Sequence, residues 1–283
     1  MTPMSQQEPF VLETREGHTL HGVVQWPEGT TGPCPTVIIS HGFKGFLEWG
    51  FFPPLADLLV ERGFTAVRFN YSGTGMRPGD DLVTDLEAFR TATFSKDVSE
   101  LLQVLDAAGV SIAPDHIDRD RLALVGHSRG GGISTLASAA EPWNQRLKAL
   151  VTWAGVSTFE RYRDHEKPWR ENGELVIQNG RTGQDLPMGV EILDDLDAHG
   201  QALDILAAAE HRTAPWLIVH GAADPTVPLH EAEALEKHGT GAVELLNIAD
   251  ADHVFGARHP FAGPTPHLIQ AMNATQAWLK KYV

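Results

Sequence analysis

The sequence is short of cysteine and of the motifs that bind metal ions. Its single cysteine, Cys34, excludes an intrachain disulfide and a zinc site built from several thiolates. None of the fourteen histidines has the HExxH spacing of a zinc-dependent hydrolase. No base lies near Cys34 along the chain, so we interpret it as a buried residue beside a strand rather than as a nucleophile. We expect no metal site.

Positive charge and long apolar runs are also scarce. The 22 basic residues against 37 acidic residues give a net charge of −15, which repels phosphate backbones, so nucleic acid is not an expected partner. No run approaches the ~18 apolar residues of a membrane helix, so no membrane partner is expected either. Residues 1–10 are polar and lack a basic and then apolar signal peptide, which predicts a cytoplasmic location.

Strand-like and helix-like runs alternate along the chain. A length of 283 residues is compatible with one large α/β domain over 1–283, and the alternation predicts a mostly parallel eight-stranded sheet flanked by helices. The first two strands are predicted to form an antiparallel hairpin. The predicted strands are 10–14, 19–26, 36–40, 64–70, 121–125, 147–153, 216–220 and 243–248, and the predicted helices are 54–62, 85–108, 133–140 and 268–282.

One long segment, 157–211, shows no strand-like run and becomes helical only around 201–210. Irregular segments of this length inside a domain are usually functional, so we predict a lid or cap insertion. The alternative is an edge insertion that only covers the sheet. Three aromatic residues in it are candidates for substrate binding or, alternatively, for packing against the core: Phe159, Tyr162 and Trp169.

The strongest local motif is Gly126-His127-Ser128-Arg129-Gly130. An apolar strand precedes it and a helix-compatible segment follows, which is the context of a nucleophile elbow. A serine on such a strained turn is exposed and fixed in place, and side chains at positions −2 and +2 would collide, which explains both glycines. We predict that Ser128 is a nucleophile.

Acyl transfer also needs donors for the negative charge that develops on the carbonyl oxygen. In an elbow of this type one donor is the N–H of the residue after the nucleophile, here Arg129. The other comes from the loop after the third strand, residues 40–45, where Phe43 follows a His-Gly pair. The backbone N–H groups of Phe43 and Arg129 are therefore the predicted oxyanion hole.

The base and the acid are expected later in the chain, each just after a strand. Asp224 follows the strand 216–220, and His253 follows the strand 243–248. Asp250 and Asp252 compete for the role of acid, but residues so close in sequence to the base rarely point at it. The predicted triad is Ser128, Asp224 and His253.

Four motifs together resemble the α/β-hydrolase superfamily: HGFKG at 41–45, GHSRGG at 126–131, HGAADPTVP at 220–228 and ADHVF at 251–255. The resemblance is greatest to compact bacterial serine esterases, including feruloyl (cinnamoyl) esterases and acyl-peptidase-like or dienelactone-hydrolase-like relatives. It implies an α/β-hydrolase fold, the same triad and the same oxyanion donors. It also implies that the segment after Ser157 forms a lid.

These observations predict a serine hydrolase that cleaves small-molecule carboxylic esters with short-chain or aromatic acyl groups, through an acyl-enzyme and without a cofactor. One alternative is an aminopeptidase or acyl-peptidase, in which Glu160, Asp164 or Glu166 would hold a substrate amine. Another is a catalytically silent small-molecule-binding protein with this fold. Perhydrolysis and C–C cleavage on the same scaffold stay open, as does a homodimer.

Overall fold

The computed structural model describes residues 5–283. Its strands are β1 Ser5–Glu13, β2 Thr19–Pro27, β3 Cys34–Ser40, β4 Thr65–Asn70, β5 Ile117–His127, β6 Ala149–Trp153, β7 Glu174–Gln178, β8 Asp185–Gly189, β9 Trp216–Gly221 and β10 Val243–Ile248. Its α-helices are α1 Phe52–Glu61, α2 Leu86–Arg90, α3 Phe94–Ala107, α4 Arg129–Ala139, α5 Trp143–Arg146, α6 Glu166–Asn172, α7 Glu191–His199, α8 Ile205–His211, α9 Leu229–His238 and α10 Pro266–Tyr282.

Eight strands form one sheet in the order β1-β2-β4-β3-β5-β6-β9-β10. The pairs β1–β2 and β2–β4 are antiparallel, and all the other neighbours in this sheet are parallel. The predicted mostly parallel eight-stranded sheet and its opening hairpin are therefore confirmed. The hairpin is longer than predicted, because β1 begins at Ser5.

The central strands are apolar on both faces because helices cover both sides of the sheet. In β3, Val37 and Ile39 belong to one hydrophobic core with α1 and α10, whereas Ile38 belongs to the other core with α3 and α4. Alternate side chains of a strand point to opposite faces, so a continuous apolar run fills two cores at once. This arrangement leaves the strand ends as the place where polar side chains gather.

The single helix predicted over 85–108 is wrong. Two helices, α2 and α3, occupy this segment, and they are separated by three residues. Thr93 has an extended backbone and its side chain accepts a hydrogen bond from the N–H of Lys96, so it starts a new helix as an N-cap.

The absence of strands predicted for 157–211 is also wrong. β7 and β8 lie in this segment and pair antiparallel with each other, as a separate two-stranded sheet. The signal was weak because each strand has five residues and β8 contains Pro187, which is tolerated only at sheet edges or bulges. The lid function of the segment stays a prediction. Within residues 5–283, no helix is both long and apolar enough to cross a membrane.

Candidate active site

Ser128 lies on a sharp turn between β5 and α4. Its backbone has φ 57° and ψ −122°, in a region that residues with a side chain rarely adopt. A Cβ on Gly126 would lie 2.4 Å from the carbonyl oxygen of Gly130, and a Cβ on Gly130 would lie 2.4 Å from the carbonyl oxygen of His41. Both glycines are thus required by close backbone approach, one across the turn and one against the loop after β3.

Three predicted site residues meet at the carboxyl ends of their strands. The Nε2 atom of His253 lies 3.0 Å from the Oγ of Ser128. The Nδ1 atom of His253 lies 2.8 Å from the Oδ2 of Asp224. Ser128 follows β5, Asp224 follows β9 and His253 follows β10. The structure therefore brings together serine, imidazole and carboxylate in one continuous line of hydrogen bonds.

Asp224 is held in its ionised form. Burial raises its pKa, but the hydrogen bond and charge of His253, together with backbone N–H donors, outweigh burial and lower the pKa below its usual value. Its Oδ1 accepts hydrogen bonds from the N–H groups of Thr226 and Val227, at 2.8 and 2.9 Å. An ionised Asp224 can only accept, so Nδ1 of His253 donates to it, which leaves Nε2 free to accept the proton of Ser128.

The two other carboxylates near His253 are exposed to solvent. Asp252 is exposed, and its Oδ1 accepts hydrogen bonds from the backbone N–H groups of Val254 and Gly256. Asp250 adopts a positive φ of 57° and is exposed in the turn after β10. Neither carboxylate contacts the imidazole of His253.

The loop after β3 passes directly against Ser128. A Cβ on Gly42 would lie 2.9 Å from the Cβ of Ser128, so only glycine permits this approach. Within residues 5–283, the N–H groups of Phe43 and Arg129 have no hydrogen-bond acceptor in the protein. Phe43 and Arg129 line the same cavity as Ser128, and their role as an oxyanion hole stays a prediction.

Two further histidines hold the loops of the site in place. The Nε2 of His127 lies 3.0 Å from the carbonyl oxygen of His253, and burial lowers the pKa of His127 to about 3, so the ring is neutral and this nitrogen donates. The Nδ1 of His41 lies 2.9 Å from the carbonyl oxygen of Gly42, while its Nε2 accepts from the N–H of Tyr71. Burial lowers the pKa of His41 to about 4. Both rings are therefore fixed in one tautomer, and each fixes a loop.

The side chain of Arg129 is buried behind the site, which the sequence analysis missed. Its guanidinium forms an ion pair of 2.7 Å with Asp97 and lies 4.5 Å from the ring centroid of Phe94 and 5.7 Å from that of Phe43. Burial raises the pKa of Asp97, and it raises the pKa of neighbouring Glu100 to about 7. The sequence pattern indicates that Asp97 is buried, because Asp97 shares the helical spacing of the apolar residues that face the core.

Two cavities open beside Ser128. The first, of about 290 Å³, is lined by Phe159 and Tyr162, and their role in substrate binding stays a prediction. The second, of about 230 Å³, is lined by Trp49 and by the turn that joins β7 to β8. In the structure, therefore, Ser128 has a cavity on each of two sides.

Trp169 corrects the third prediction of a substrate-binding residue. It is 1% exposed and its Nε1 donates a hydrogen bond of 2.8 Å to the carbonyl oxygen of Met188. It packs the segment 157–211 onto the core and lines neither cavity. Within residues 5–283, no cluster of three or more His, Cys, Asp or Glu side chains is arranged to hold a metal ion.

The chain is similar to known proteins in sequence and to solved structures in fold. The chain is 32% identical over 164 residues to hydrolase LUC6 from Fusarium sp, a match that covers 56% of this chain and 36% of that protein. Its fold matches Est1E from Butyrivibrio proteoclasticus, solved with ferulic acid bound, with a TM-score of 0.74, 23% identity and coverage of 96% and 98% of the two chains. It also matches Pyrococcus horikoshii acylaminoacyl peptidase, with a TM-score of 0.72, 17% identity and coverage of 99% of this chain and 42% of that one.

These likenesses establish an α/β-hydrolase fold, and they include both esterases and peptidases. The matched regions cover less than half the length of LUC6 and of the acylaminoacyl peptidase. The sequence model of the prolyl oligopeptidase family, a family of serine-type hydrolases, matches residues 49–283. The chain thus has the fold of the α/β-hydrolase superfamily and belongs to the prolyl oligopeptidase family.

Proposed function

We propose that this hydrolase cleaves carboxylic esters, with Ser128 as nucleophile, His253 as base and Asp224 as the acid that orients the base. The observation that carries the proposal is the unbroken pair of hydrogen bonds, 3.0 Å from Ser128 to His253 and 2.8 Å from His253 to Asp224. A serine hydroxyl is a weak nucleophile until a neighbouring base removes its proton, and this geometry supplies the base.

The reaction proceeds in two halves. The Oγ of Ser128 attacks the ester carbonyl while Nε2 of His253 accepts its proton. The tetrahedral intermediate collapses, the C–O bond to the alcohol breaks, and His253 returns the proton to the leaving alkoxide. Water then attacks the acyl-enzyme by the same route and releases the acid and free Ser128. No cofactor takes part in any step.

The N–H groups of Phe43 and Arg129 are the proposed donors to the oxyanion. Each such donor contributes about 3–4 kcal/mol to stabilising the transition state in serine hydrolases. The support is their unused hydrogen-bonding capacity beside Ser128. The ion pair of Arg129 with Asp97 anchors the residue that carries one donor, and His41 anchors the loop that carries the other.

The cavities support a small substrate with an apolar or aromatic acyl group. The aromatic rings of Phe43, Phe159 and Tyr162 line the cavity of about 290 Å³, which is close to the lower limit for small-molecule sites, about 300 Å³. In the same proposal, the segment 157–211 is the cover of the site. It contributes Tyr162 to one cavity and the β7–β8 turn to the other.

Membership of the prolyl oligopeptidase family favours amide or peptide hydrolysis as the second candidate. An aminopeptidase needs a carboxylate to hold the free amine, yet within residues 5–283 no Asp or Glu lines either cavity beside Ser128. Glu160 and Glu166 form ion pairs with Arg163 on the surface, and Asp164 is also absent from the lining. A peptide with a blocked N-terminus fits this site better than one with a free amine.

The test is hydrolysis of 4-nitrophenyl acetate by the wild type and by Ser128→Ala, with Ser111→Ala, an exposed serine, as the matched control. We expect Ser128→Ala to lose turnover and labelling by a fluorophosphonate probe, and Ser111→Ala to keep both. Turnover by Ser128→Ala would contradict the proposed nucleophile. A panel of short-chain esters, hydroxycinnamate esters, acyl-blocked peptides and aminoacyl-naphthylamides separates the two candidate reactions.

A further inference from the structure

The cavity of about 230 Å³ beside Ser128 is cationic, in a protein that is strongly anionic. Lys44 and Arg181 both line it, together with the apolar side chains of Trp49, Phe52 and Val254. Within residues 5–283, no Asp or Glu lines it, although the chain carries a net charge of −15. Two cations in a cavity that no carboxylate lines indicate attraction to an anion.

Arg181 is held at this cavity by the turn between β7 and β8. Its backbone N–H donates to the Oδ1 of Asn179 at 3.1 Å, and its Nη2 donates to the carbonyl oxygen of Asp81 at 2.5 Å. Its guanidinium lies 5.7 Å from the ring centroid of Phe46. In the part of the chain that the structure describes, it forms no ion pair. The guanidinium is thus positioned on one edge while its charge stays uncompensated.

Lys44 approaches the same cavity from the loop after β3. It adopts a left-handed backbone with φ 58° and its side chain is exposed, with the ammonium 5.7 Å from the ring centroid of Phe43. No carboxylate in residues 5–283 pairs with it. A non-glycine residue in this conformation is strained, so the surrounding structure must hold Lys44 in place. The cavity therefore has one cation on each of two independent segments.

The other cavity beside Ser128 differs, because both of its arginines, Arg129 and Arg161, are paired with carboxylates. Arg161 lines that cavity, but its Nη2 forms an ion pair with the buried carboxylate of Glu231 and its Nη1 donates to the carbonyl oxygen of Thr226 at 3.2 Å. Lys44 lines both cavities, so Arg181 is the cation that distinguishes the cavity of about 230 Å³: within residues 5–283 no carboxylate pairs with it, whereas Arg129 and Arg161 of the other cavity are both paired.

We propose that the substrate is an anionic ester, whose carboxylate binds Arg181 and Lys44 while its apolar part packs against Trp49 and Phe52. This inference rests on the proposed esterase function and names its substrate class. Guanidinium groups match carboxylates geometrically, and an ammonium adds a second charge without a fixed direction. The carboxylate belongs to the part of the substrate on the side of Ser128 that faces the β7–β8 turn.

The test uses ester pairs that differ only in a carboxylate against a neutral carboxamide. One pair places it on the alcohol, as 4-carboxyphenyl and 4-carbamoylphenyl acetate. The other places it on the acyl group, as the methyl esters of 4-carboxybenzoate and 4-carbamoylbenzoate. We expect the wild type to prefer the anionic member of at least one pair in kcat/KM by about tenfold, the scale of hydrogen bonds to charged groups, and to lose part of this preference as salt concentration rises.

The variants separate recognition from catalysis, because only the ratio of kcat/KM within a pair is compared. Arg181→Met and Lys44→Met should each lower the preference about three- to tenfold, and Arg181→Glu should reverse it. Lys148→Met, an exposed lysine outside both cavities, should leave the ratio unchanged. Equal rates on both members of both pairs, or a preference that survives Arg181→Met and Lys44→Met, would overturn the inference alone. Failure to hydrolyse any ester or to react with a fluorophosphonate would overturn the proposed function and the inference with it.

Discussion

Gly130→Ala is a substitution that the backbone around Ser128 cannot accept without moving. The added Cβ would lie 2.4 Å from the carbonyl oxygen of His41 and 2.5 Å from that of Ser40. Both are main-chain atoms in the segment that leads to the proposed oxyanion donor Phe43. Since contacts below 3.0 Å essentially never occur for real Cβ atoms, this segment and the start of α4 must separate by about 0.6 Å.

The displacement acts where the chemistry is most sensitive to distance. A misplacement of about 1 Å at a catalytic group can lower the rate about 10²-fold, so we expect kcat to fall by roughly one to two orders of magnitude. Overpacking of this kind also destabilises a fold, by about 1–3 kcal/mol. The higher helix propensity of Ala offsets about 1 kcal/mol of that loss, so the variant should fold and be slow.

Gly132→Ala is the matched control, because it makes the same chemical change two residues further along α4. Its Cβ would meet only the ends of side chains, at 2.8 Å from Ile205 Cδ1 and 2.8 Å from Val156 Cγ2, and these can move. The assay is kcat on 4-nitrophenyl acetate, with urea unfolding measured in parallel. If Gly130→Ala retained half or more of the wild-type kcat, or Gly132→Ala lost as much as Gly130→Ala, the close-approach argument would be refuted.

Three further predictions follow from the contacts of the site. Asp224→Asn should lower kcat/KM about 10³- to 10⁴-fold, since an amide can stabilise the wrong imidazole tautomer, whereas Asp252→Asn should have little effect; similar losses in both would contradict the assignment of the acid. His127→Phe removes the donor to the carbonyl of His253 and should lower kcat about tenfold, the scale of a lost buried hydrogen bond, and an unchanged kcat would show that His127 does not position the base. Burial and then the charge of Asp97 raise the pKa of Glu100 from 4.5 to about 7, so the unfolded chain releases this proton first as pH rises. From pH 5 to pH 8, the free energy of unfolding measured in urea should therefore fall by up to about 3 kcal/mol more in the wild type than in Glu100→Gln. A difference between the two proteins that did not depend on pH would refute the raised pKa.

The sequence predicted the eight-stranded sheet and the meeting of the three proposed triad residues for one physical reason. Strands buried on both faces are continuous apolar runs, and the residues that follow them gather at one edge of a parallel sheet. Ser128 and Asp224 come just after such runs, in β5 and β9, and His253 follows β10, a half-buried edge strand that is parallel to β9. Their convergence could therefore be predicted without knowledge of any contact between them.

The features that the sequence concealed depend on contacts between distant segments. β7 and β8 pair only with each other, so neither needed the long apolar run that marks a central strand. Asp97 is a charged residue on a helix, a type usually exposed, and it is buried because Arg129 neutralises it from another element. The sequence left Trp169 open between substrate binding and packing against the core, and its indole Nε1 donates a hydrogen bond to the carbonyl oxygen of Met188 inside the fold. In each case the position of the residue or strand depends on a partner that the local sequence pattern does not reveal.

The distribution of the site over separate strands links activity to the integrity of the whole sheet. Ser128 and His253 lie 125 residues apart in the chain, and β6 and β9 lie between their strands in the sheet. No fragment that lacks one of these central strands can align the hydroxyl with the imidazole. Enzymatic turnover should consequently disappear in the same cooperative transition as the secondary structure, which makes the rate of ester cleavage a direct readout of the native population during denaturation.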